Sequence, residues 1–212
     1  MSLESSRNSY DAGTLDEATI GADPIAALRS WIDVAYATPG IGEPNAMCIA
    51  TVDADGAPSA RIVLLRALDE RGLVFYSSYF SRKGRELGKN PRIAATLYWA
   101  PLNRQVRIEG TATTLSEDES DAYFDSRPRG HQLSAWASEQ SEMLDRRETL
   151  DERMEHFDAR FEGEDVPRPH SWGGYFIAPT RIEFWQGRPN RMHDRLEFTR
   201  TDRGWSLRRL QP

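Results

Sequence analysis

Apolar and polar residues alternate along much of the chain, a pattern that predicts short β-strands. The predicted strands cover residues 46–52, 59–68, 73–77, 92–99, 105–113, 174–178, 181–185, 191–199 and 205–210. Tight turns join several of them, such as Asp53-Ala54-Asp55-Gly56, where glycine supplies a left-handed residue. Consecutive short strands with tight turns favour an antiparallel barrel or sandwich.

Helices interrupt this pattern and complete a mainly β fold with peripheral helices. Asp23-Pro24 combines a capping acid with proline at the first helical position, and Pro39-Gly40 ends that helix. Ser81 caps a second helix that reaches residue 87, and a capping box at Ser116 opens a third that reaches about residue 125. Residues 146–161 are strongly charged and predict a surface helix with one buried face.

Length and composition predict one soluble domain. The 212 residues suffice for one domain over 23–212, preceded by a polar segment, 1–22, that we expect to be a mobile arm. No apolar run approaches the roughly 18 residues of a membrane span, and the first residues do not resemble a signal peptide, so we expect a cytoplasmic protein.

Charge and cysteine content exclude several classes of function. A net charge of −6 argues against a nucleic-acid or membrane partner. The single cysteine, Cys48, lies in an apolar run, so we expect it to be buried, and it excludes a disulfide within the chain. The four histidines do not have metal-ligand spacing, so no metal site is expected.

The segment from Trp185 to Arg195 stands out in this acidic chain because it holds three arginines and a histidine but one acid, Asp194. Its flanks alternate, which predicts two strands joined by a loop. Alternation puts Arg191, His193 and Arg195 on one face and Asp194 on the other. That face offers cations and a group titrating near neutrality to an anionic, planar partner; a solvated basic strand is the alternative.

Two further clusters indicate phosphate binding. Ser81-Arg82-Lys83 places cations in the first turn of a helix, where the dipole favours acids, so an external anion explains them; Arg61 can join this cluster. Tyr123 and Arg127 share one face at a helix end and suit a second phosphate or carboxylate. Ordinary solvated helix ends are the alternative at both places.

A third group consists of residues that suit the edge and face of a heteroaromatic ring. Its members are Gln105, Gln140, Ser141 and Trp185.

From about residue 23 to residue 212 the sequence closely resembles the pyridoxine/pyridoxamine 5′-phosphate oxidase family. The matching motifs are Glu43-Pro44-Asn45-Ala46-Met47, Arg61-Ile62-Val63-Leu64-Leu65, Ser81-Arg82-Lys83-Gly84, Asn103-Arg104-Gln105-Val106, Ser126-Arg127-Pro128-Arg129, Ser171-Trp172-Gly173-Gly174-Tyr175, Glu183-Phe184-Trp185-Gln186-Gly187 and Arg191-Met192-His193-Asp194-Arg195. The resemblance implies a split β-barrel homodimer with FMN bound at the subunit interface. It also implies oxidation of pyridoxine or pyridoxamine 5′-phosphate to pyridoxal 5′-phosphate, with O2 as electron acceptor and H2O2 as product.

The resemblance also implies roles for individual residues. The positions that match FMN contacts of the family are Arg61, Ile62, Val63, Leu64, Leu65, Arg66, Tyr76, Ser77, Arg82, Lys83, Gln105, Gln140, Ser141, Trp185 and Arg195. The positions that match the substrate-phosphate site are Arg66, Tyr123, Arg127 and His131. Arg191 and His193 match the catalytic pair that faces the substrate ring, and Arg7 and Tyr10 resemble an Arg-x-x-Tyr that folds over bound substrate.

Two positions depart from the family pattern, and both lie on the substrate side. Position 66 is commonly lysine in the family and is arginine here; position 131 is commonly serine and is histidine here. Two alternatives stay open, and these departures support the first of them. One is an oxidase that keeps the FMN site but acts on another ring, such as those of phenazine biosynthesis; the other is a flavin or pyridoxal-phosphate binder without turnover.

We expect FMN to carry the redox chemistry while the protein binds and orients the substrate. A grip by Arg66, Tyr123 and Arg127 on the substrate phosphate would fix the pyridine ring for hydride transfer from C4′ to flavin N5. Arg191 would pack over the ring, and His193 would hydrogen-bond the reacting or an adjacent substituent, with general-base action as a second role.

Overall fold

Nine strands form one antiparallel sheet in the computed structural model, which describes residues 10–212. They are β1 Ala46–Val52, β2 Pro58–Leu64, β3 Ala67–Asp69, β4 Gly72–Ser78, β5 Arg92–Trp99, β6 Arg104–Thr114, β7 Trp172–Gln186, β8 Asp194–Thr201 and β9 Gly204–Leu210. Their order is β2-β1-β5-β6-β7-β4-β3, with β8 paired to β7 and β9 to β8. The predicted mainly β fold is confirmed.

The sheet splits along one edge of strand β7. Strand β6 pairs with residues 175–186 of β7, whereas β4 pairs with residues 172–177 and β8 with residues 181–186, so both share the other edge. The register shifts at Glu109/Gly110, opposite Pro179, which cannot donate a ladder hydrogen bond. The sheet therefore curls and splits. The prediction of two strands at 174–178 and 181–185 is wrong, since pairing with β6 continues past the proline.

The predicted strand over residues 59–68 is also wrong, because it breaks into β2 and β3. Leu65 N donates to Asn45 O at 2.9 Å, and Arg66 N donates to Val74 O at 2.8 Å. The chain thus leaves its pairing with β1 and joins β4 within two residues. This change of partner places Arg66 where the chain passes from the β1 end of the sheet to the β4 end.

Six helices surround the sheet in the described part of the chain. They are α1 Glu17–Ile20, α2 Pro24–Ala37, α3 Arg82–Lys89, α4 Glu117–Asp125, α5 Arg129–Ala137 and α6 Glu148–Arg160. Asp23, Ser81 and Ser116 cap α2, α3 and α4, as the sequence predicts. Helix α5 was not expected from the sequence, since its N-cap is Pro128, which makes no side-chain cap.

The main core lies between α2 and the sheet. Leu28 and Trp31 of α2 are buried there, and the Trp31 ring meets Phe184 edge-on at 5.1 Å between centroids. A smaller cluster under α4, α5 and α6 contains Phe124 and Leu133. No helix within residues 10–212 is both long and apolar enough to cross a membrane.

The sequence places residues 15–20 in the polar arm, whereas in the structure they pack against β8 and β9. Leu15 is buried, and its N–H donates to Asp194 Oδ2 at 3.1 Å. Arg209 of β9 pairs with Glu17 at 2.7 Å and with Asp194 at 2.9 Å. Arg7 lies outside the described residues, so its expected role stays a prediction.

Candidate active site

A cavity of about 860 Å³, here called the cationic cavity, opens between β2, β4 and the helices α3 to α5. It gathers most of the residues that the sequence singled out, although they are far apart along the chain. Its lining residues are Ser59, Ala60, Arg61, Ile62, Val63, Leu64, Arg66, Tyr76, Ser77, Arg82, Lys83, Tyr123, Ser126, Arg127, Pro128, His131, Gln140, Ser141 and Trp172. Leu65, from the same motif, is instead buried in the main core.

Lys83 lies at one end of the cavity, in the first turn of α3. Its Nζ donates to Ser77 Oγ at 3.0 Å and to Gln140 Oε1 at 2.9 Å. Burial, with a further contribution from Arg61, lowers the pKa of the Lys83 ammonium to about 8. Within residues 10–212 it has no carboxylate in ion-pair contact, so neutral oxygens hold a cation at this position.

Arg61 and Arg82 complete this end of the cavity from β2 and α3. Both pair with the buried carboxylate of Glu86, Arg61 Nη2 at 3.2 Å and Arg82 Nε at 2.8 Å. The structure thus brings the three predicted cations of the first cluster together at the N-terminus of one helix. An arrangement of this kind favours a phosphate.

The other end of the cavity contains a stack of aromatic rings. The Tyr76 ring lies parallel to Tyr123 at 3.7 Å between centroids and to Trp172 at 5.5 Å. Arg127 packs over the Trp172 ring at 4.4 Å. Gly174 permits this stack because a Cβ there would lie 2.9 Å from Tyr76 Cε1.

The Arg127 guanidinium is held in the wall of the cavity without a full set of partners. Its Nη1 is shielded from solvent and has no hydrogen-bond partner among the described residues. Burial lowers the pKa of Arg127, and the nearby charge of Arg66 lowers it further. Two neighbouring positive charges and a buried N–H without a partner cost free energy, and a bound anion would offset that cost. His131, in the first turn of α5, lines the same end.

Trp172 and Glu86 are the site residues to which the sequence assigned no role. Trp172 belongs to the Ser171-Trp172-Gly173-Gly174 motif, but nothing in its spacing indicates that it carries Arg127. In the sequence, Glu86 has no feature that sets it apart from the other residues of a polar helix. Only the tertiary contacts identify both.

The remaining predicted residues form a separate group, the Trp185 patch: Tyr10, Gln105, Trp185, His193 and Arg195. Gln105, Trp185 and Arg195 lie directly opposite one another on β6, β7 and β8. The His193 ring packs on Trp185 at 4.7 Å, and Tyr10 meets both rings edge-on at 5.4 and 5.9 Å. None of these residues lines the cationic cavity of the same chain, as far as residues 10–212 show.

The prediction that alternation along a strand orients Arg191 is wrong. Strand β8 begins only at Asp194, and Arg191 ends a 3₁₀ turn over Pro189–Arg191. Asn190 and Arg191 both have left-handed backbones, with φ of 57° and 62°. Asp194 does face away from the patch, toward Leu15 and Arg209, as predicted.

The hydrogen bonds of His193 fix which of its nitrogens carries the proton. Its Nδ1 accepts from the backbone N–H of Arg188 at 3.1 Å. A neutral imidazole with Nδ1 as acceptor carries its proton on Nε2. Burial lowers the pKa of His193, and the charge of Arg191 lowers it further. His193 is therefore a neutral Nε2–H donor near pH 7.

A curled sheet that splits at β7, with a phosphate-type cavity beside it, defines a split-barrel protein. A solved structure described as a pyridoxamine 5′-phosphate oxidase-related, FMN binding protein from Nostoc punctiforme shares this fold, with a TM-score of 0.69 at 16% identity over 88% of this chain and 96% of that one. The model of the Pyridoxamine 5′-phosphate oxidase family matches residues 37–160, and that of the Pyridoxine 5′-phosphate oxidase C-terminal dimerisation region matches residues 172–212. The chain belongs to the pyridoxine/pyridoxamine 5′-phosphate oxidase family of oxidoreductases.

Full-length relatives support this assignment. A pyridoxine/pyridoxamine 5′-phosphate oxidase from Rubrobacter xylanophilus is 54% identical over 97% of this chain and 94% of its own. One from Bordetella avium is 53% identical over the whole of both chains. The crystal structure of PhzG from Burkholderia lata in complex with tetrahydrophenazine-1-carboxylic acid is 33% identical, with a TM-score of 0.88 over 97% of this chain and 100% of that one.

Proposed function

We propose that this protein oxidises pyridoxamine and pyridoxine 5′-phosphates to pyridoxal 5′-phosphate with FMN as cofactor, reducing O2 to H2O2. The observation that carries the proposal is the presence of two separate cation clusters in one cavity. Arg61, Arg82 and Lys83 lie at one end, and Arg66 with the orphaned Arg127 lies at the other. FMN and a vitamin B6 phosphate carry one phosphate each, so two such clusters suit this pair.

The first cluster fits the phosphate of FMN. Arg82 and Lys83 would neutralise it at the N-terminus of α3, and Arg61 would approach it from β2. Strand β2 exposes residues on both faces, and Ile62 is 63% exposed, so the edge from 61 to 64 is open to a flat ring system. Bound FMN would supply the two-electron acceptor for oxidation at C4′ of the substrate.

The second cluster would grip the substrate phosphate. Arg127 would gain a partner for its Nη1, which has none among residues 10–212, and Tyr123 would add a hydroxyl. Arg66 replaces the lysine common in the family and can bind the phosphate with two parallel N–H groups. His131 adds a further donor on α5. This grip would fix the pyridine ring and so lower the entropic part of the barrier.

The Trp185 patch and Arg191 would act on the substrate held by a second copy of the chain. Arg191 and three members of the patch, Trp185, His193 and Arg195, belong to residues 172–212, the region that matches the family's dimerisation model. Exposed apolar residues such as Ile62 and Tyr98, at 63% and 55%, offer surface for such a partner. We infer a homodimer in which Gln105, Trp185 and Arg195 complete the FMN site across the interface. Arg191 would pack on the substrate ring.

His193 would donate an Nε2–H hydrogen bond to the substrate rather than act as a base, because its Nδ1 is occupied by Arg188 N–H. A glutamine amide can place an N–H near the Nε2 position, whereas asparagine reaches only as far as Nδ1. We therefore expect His193→Gln to keep kcat within about 10-fold of the wild type, and His193→Asn to lose about 100-fold.

The measurement is steady-state turnover of both variants at equal flavin content. A faster His193→Asn than His193→Gln would contradict the donor role. Acidification is a second check: as pH falls through the lowered pKa of His193, the ring keeps its Nε2–H donor, but protonation of Nδ1 removes the acceptor of Arg188 N–H.

The substrate assignment is tested by offering flavin-loaded protein three compounds in air. They are pyridoxamine 5′-phosphate, unphosphorylated pyridoxamine and a tetrahydrophenazine carboxylic acid, the last suggested by the similarity to PhzG. We expect kcat/KM for the phosphorylated amine to exceed that of pyridoxamine by about 100-fold or more, since charge-assisted contacts to Arg66 and Arg127 are lost. Preference for the tricyclic acid would replace the proposed substrate.

A further inference from the structure

Glu86 is a buried carboxylate at the cation cluster of the cofactor site. It is 4% exposed, and groups from three elements converge on it. Ser59 Oγ donates to its two oxygens at 2.9 and 2.7 Å, and Thr51 Oγ1 donates as well. Arg61 Nη2 lies at 3.2 Å and Arg82 Nε at 2.8 Å. Within the described residues, Glu86 is the carboxylate that joins these two arginines.

A negative charge next to a phosphate site is at first sight unfavourable. Burial would raise the pKa of Glu86, yet the hydrogen bonds from Thr51, Ser59, Arg82 and Arg61 lower it to about 2. The carboxylate is therefore charged throughout the range in which the protein works. By simple Coulomb attraction, a phosphate would be held more tightly without it.

The geometry points to a compensating role: we propose that Glu86 is a positioning residue, which holds Arg61 and Arg82 together at the cofactor-phosphate site. The two guanidinium groups repel each other, and Arg82 is 57% exposed, so it could turn into solvent without an anchor. This role rests on the proposed FMN cofactor.

The charge of Lys83 makes the cation cluster sensitive to pH. The charged groups that bear on its Nζ are Arg61 of β2 and Glu86 of α3, and the neutral groups are Ser77, Ser81 and Gln140. Burial lowers the pKa of Lys83, Arg61 lowers it further and Glu86 raises it, and the resulting pKa is about 8. The ammonium is therefore charged below pH 8 and loses its charge as pH rises through that value.

The test is titration of the apoprotein with FMN, followed by quenching of flavin fluorescence between pH 7 and pH 9.5, for the wild type and Glu86→Gln. Wild-type Kd should be constant near pH 7 and rise above pH 8. Glutamine presents N–H groups to two guanidinium donors and removes the charge that supports Lys83. We expect its Kd at pH 7 to rise about 10-fold, and the rise with pH to begin at a lower pH than in the wild type.

The matched control is Asp55→Asn, which removes one exposed carboxylate from the β1–β2 turn beside α3 and should leave the Kd and its pH profile unchanged. If Glu86→Gln binds FMN as tightly as the wild type, or more tightly, with the same pH profile, the positioning role is wrong. If the wild type itself does not bind FMN, the proposed cofactor and this inference both fail.

A second variant keeps the inference testable if Glu86→Gln does not fold. Ser59→Ala removes a hydroxyl that holds both Glu86 and Arg61 but leaves the carboxylate charge in place. We expect a several-fold weaker FMN affinity with the pH onset still near 8. An unchanged affinity in Ser59→Ala would overturn the positioning role.

Discussion

Replacing Arg127 by alanine should raise the KM for pyridoxamine 5′-phosphate by about 100-fold. The substrate phosphate would lose a charge-assisted contact from a guanidinium whose Nη1 has no partner within residues 10–212. The variant also loses the packing of Arg127 over the Trp172 ring, so the melting temperature of the apoprotein should fall slightly while the protein still folds. Steady-state kinetics and a thermal melt of the same preparation measure both effects.

Arg129→Ala is the matched control for this variant. Arg129 lies two residues further along the chain, but it pairs with Asp158 at 3.0 Å and donates to Phe161 O at 2.9 Å, away from the cationic cavity. Its loss should lower the melting temperature and leave KM unchanged. Similar KM values for Arg127→Ala and the wild type would place the substrate phosphate elsewhere.

Arg191→Ala should lower kcat by about 100-fold, because the side chain that would pack on the substrate ring and orient it is lost. Folding should be little affected, because Arg191 is exposed and makes no ion pair with the described part of the chain. Its left-handed backbone, at φ 62°, is as unfavourable for alanine as for arginine, so the substitution does not add strain. Single-turnover reduction of bound flavin by substrate measures the effect directly.

Arg203→Ala serves as the control, since Arg203 is exposed in the turn between β8 and β9. Arg203→Ala removes the same charge from the β8–β9 end of the sheet. Substrate should reduce the flavin of this variant as fast as that of the wild type. Near-normal flavin reduction in Arg191→Ala would show that Arg191 does not face the substrate.

Local chemistry made much of the fold predictable. Asp23, Ser81 and Ser116 are capping residues whose effect depends on a few neighbours, and each cap lies where the sequence predicts. The path of β7 was not predictable in this way. Whether a strand continues past Pro179 depends on pairing with β6, about 70 residues away, and local pattern does not contain that information.

In the cavity, too, local sequence predicted some residues, whereas others depend on contacts with distant strands. The sequence alone identified Arg82 and Lys83, because cations in the first turn of a helix conflict with its dipole. Glu86, four residues after Arg82, has no such anomaly, and its importance comes from Ser59 and Arg61 on another strand. Strand periodicity failed for Arg191 because a left-handed turn precedes β8.

The residues that we propose as catalytic and substrate-binding groups lie in two places on one chain. The cationic cavity lies at β2, β4 and α3, whereas Trp185 lies in β7 and His193 just before β8, in the region that matches the family's dimerisation model. A dimer that joins the two would make activity depend on assembly, because each site would need groups from both copies.

Reaction of the purified protein with pyridoxamine 5′-phosphate in air is the measurement that tests the central claim most directly. The absorbance spectrum is recorded first, and hydrogen peroxide and the product aldehyde are then followed together. The proposed function predicts a flavin spectrum and the formation of H2O2 and pyridoxal 5′-phosphate in equal amounts. A flavin-loaded protein that forms neither product from the amine or the alcohol would contradict it.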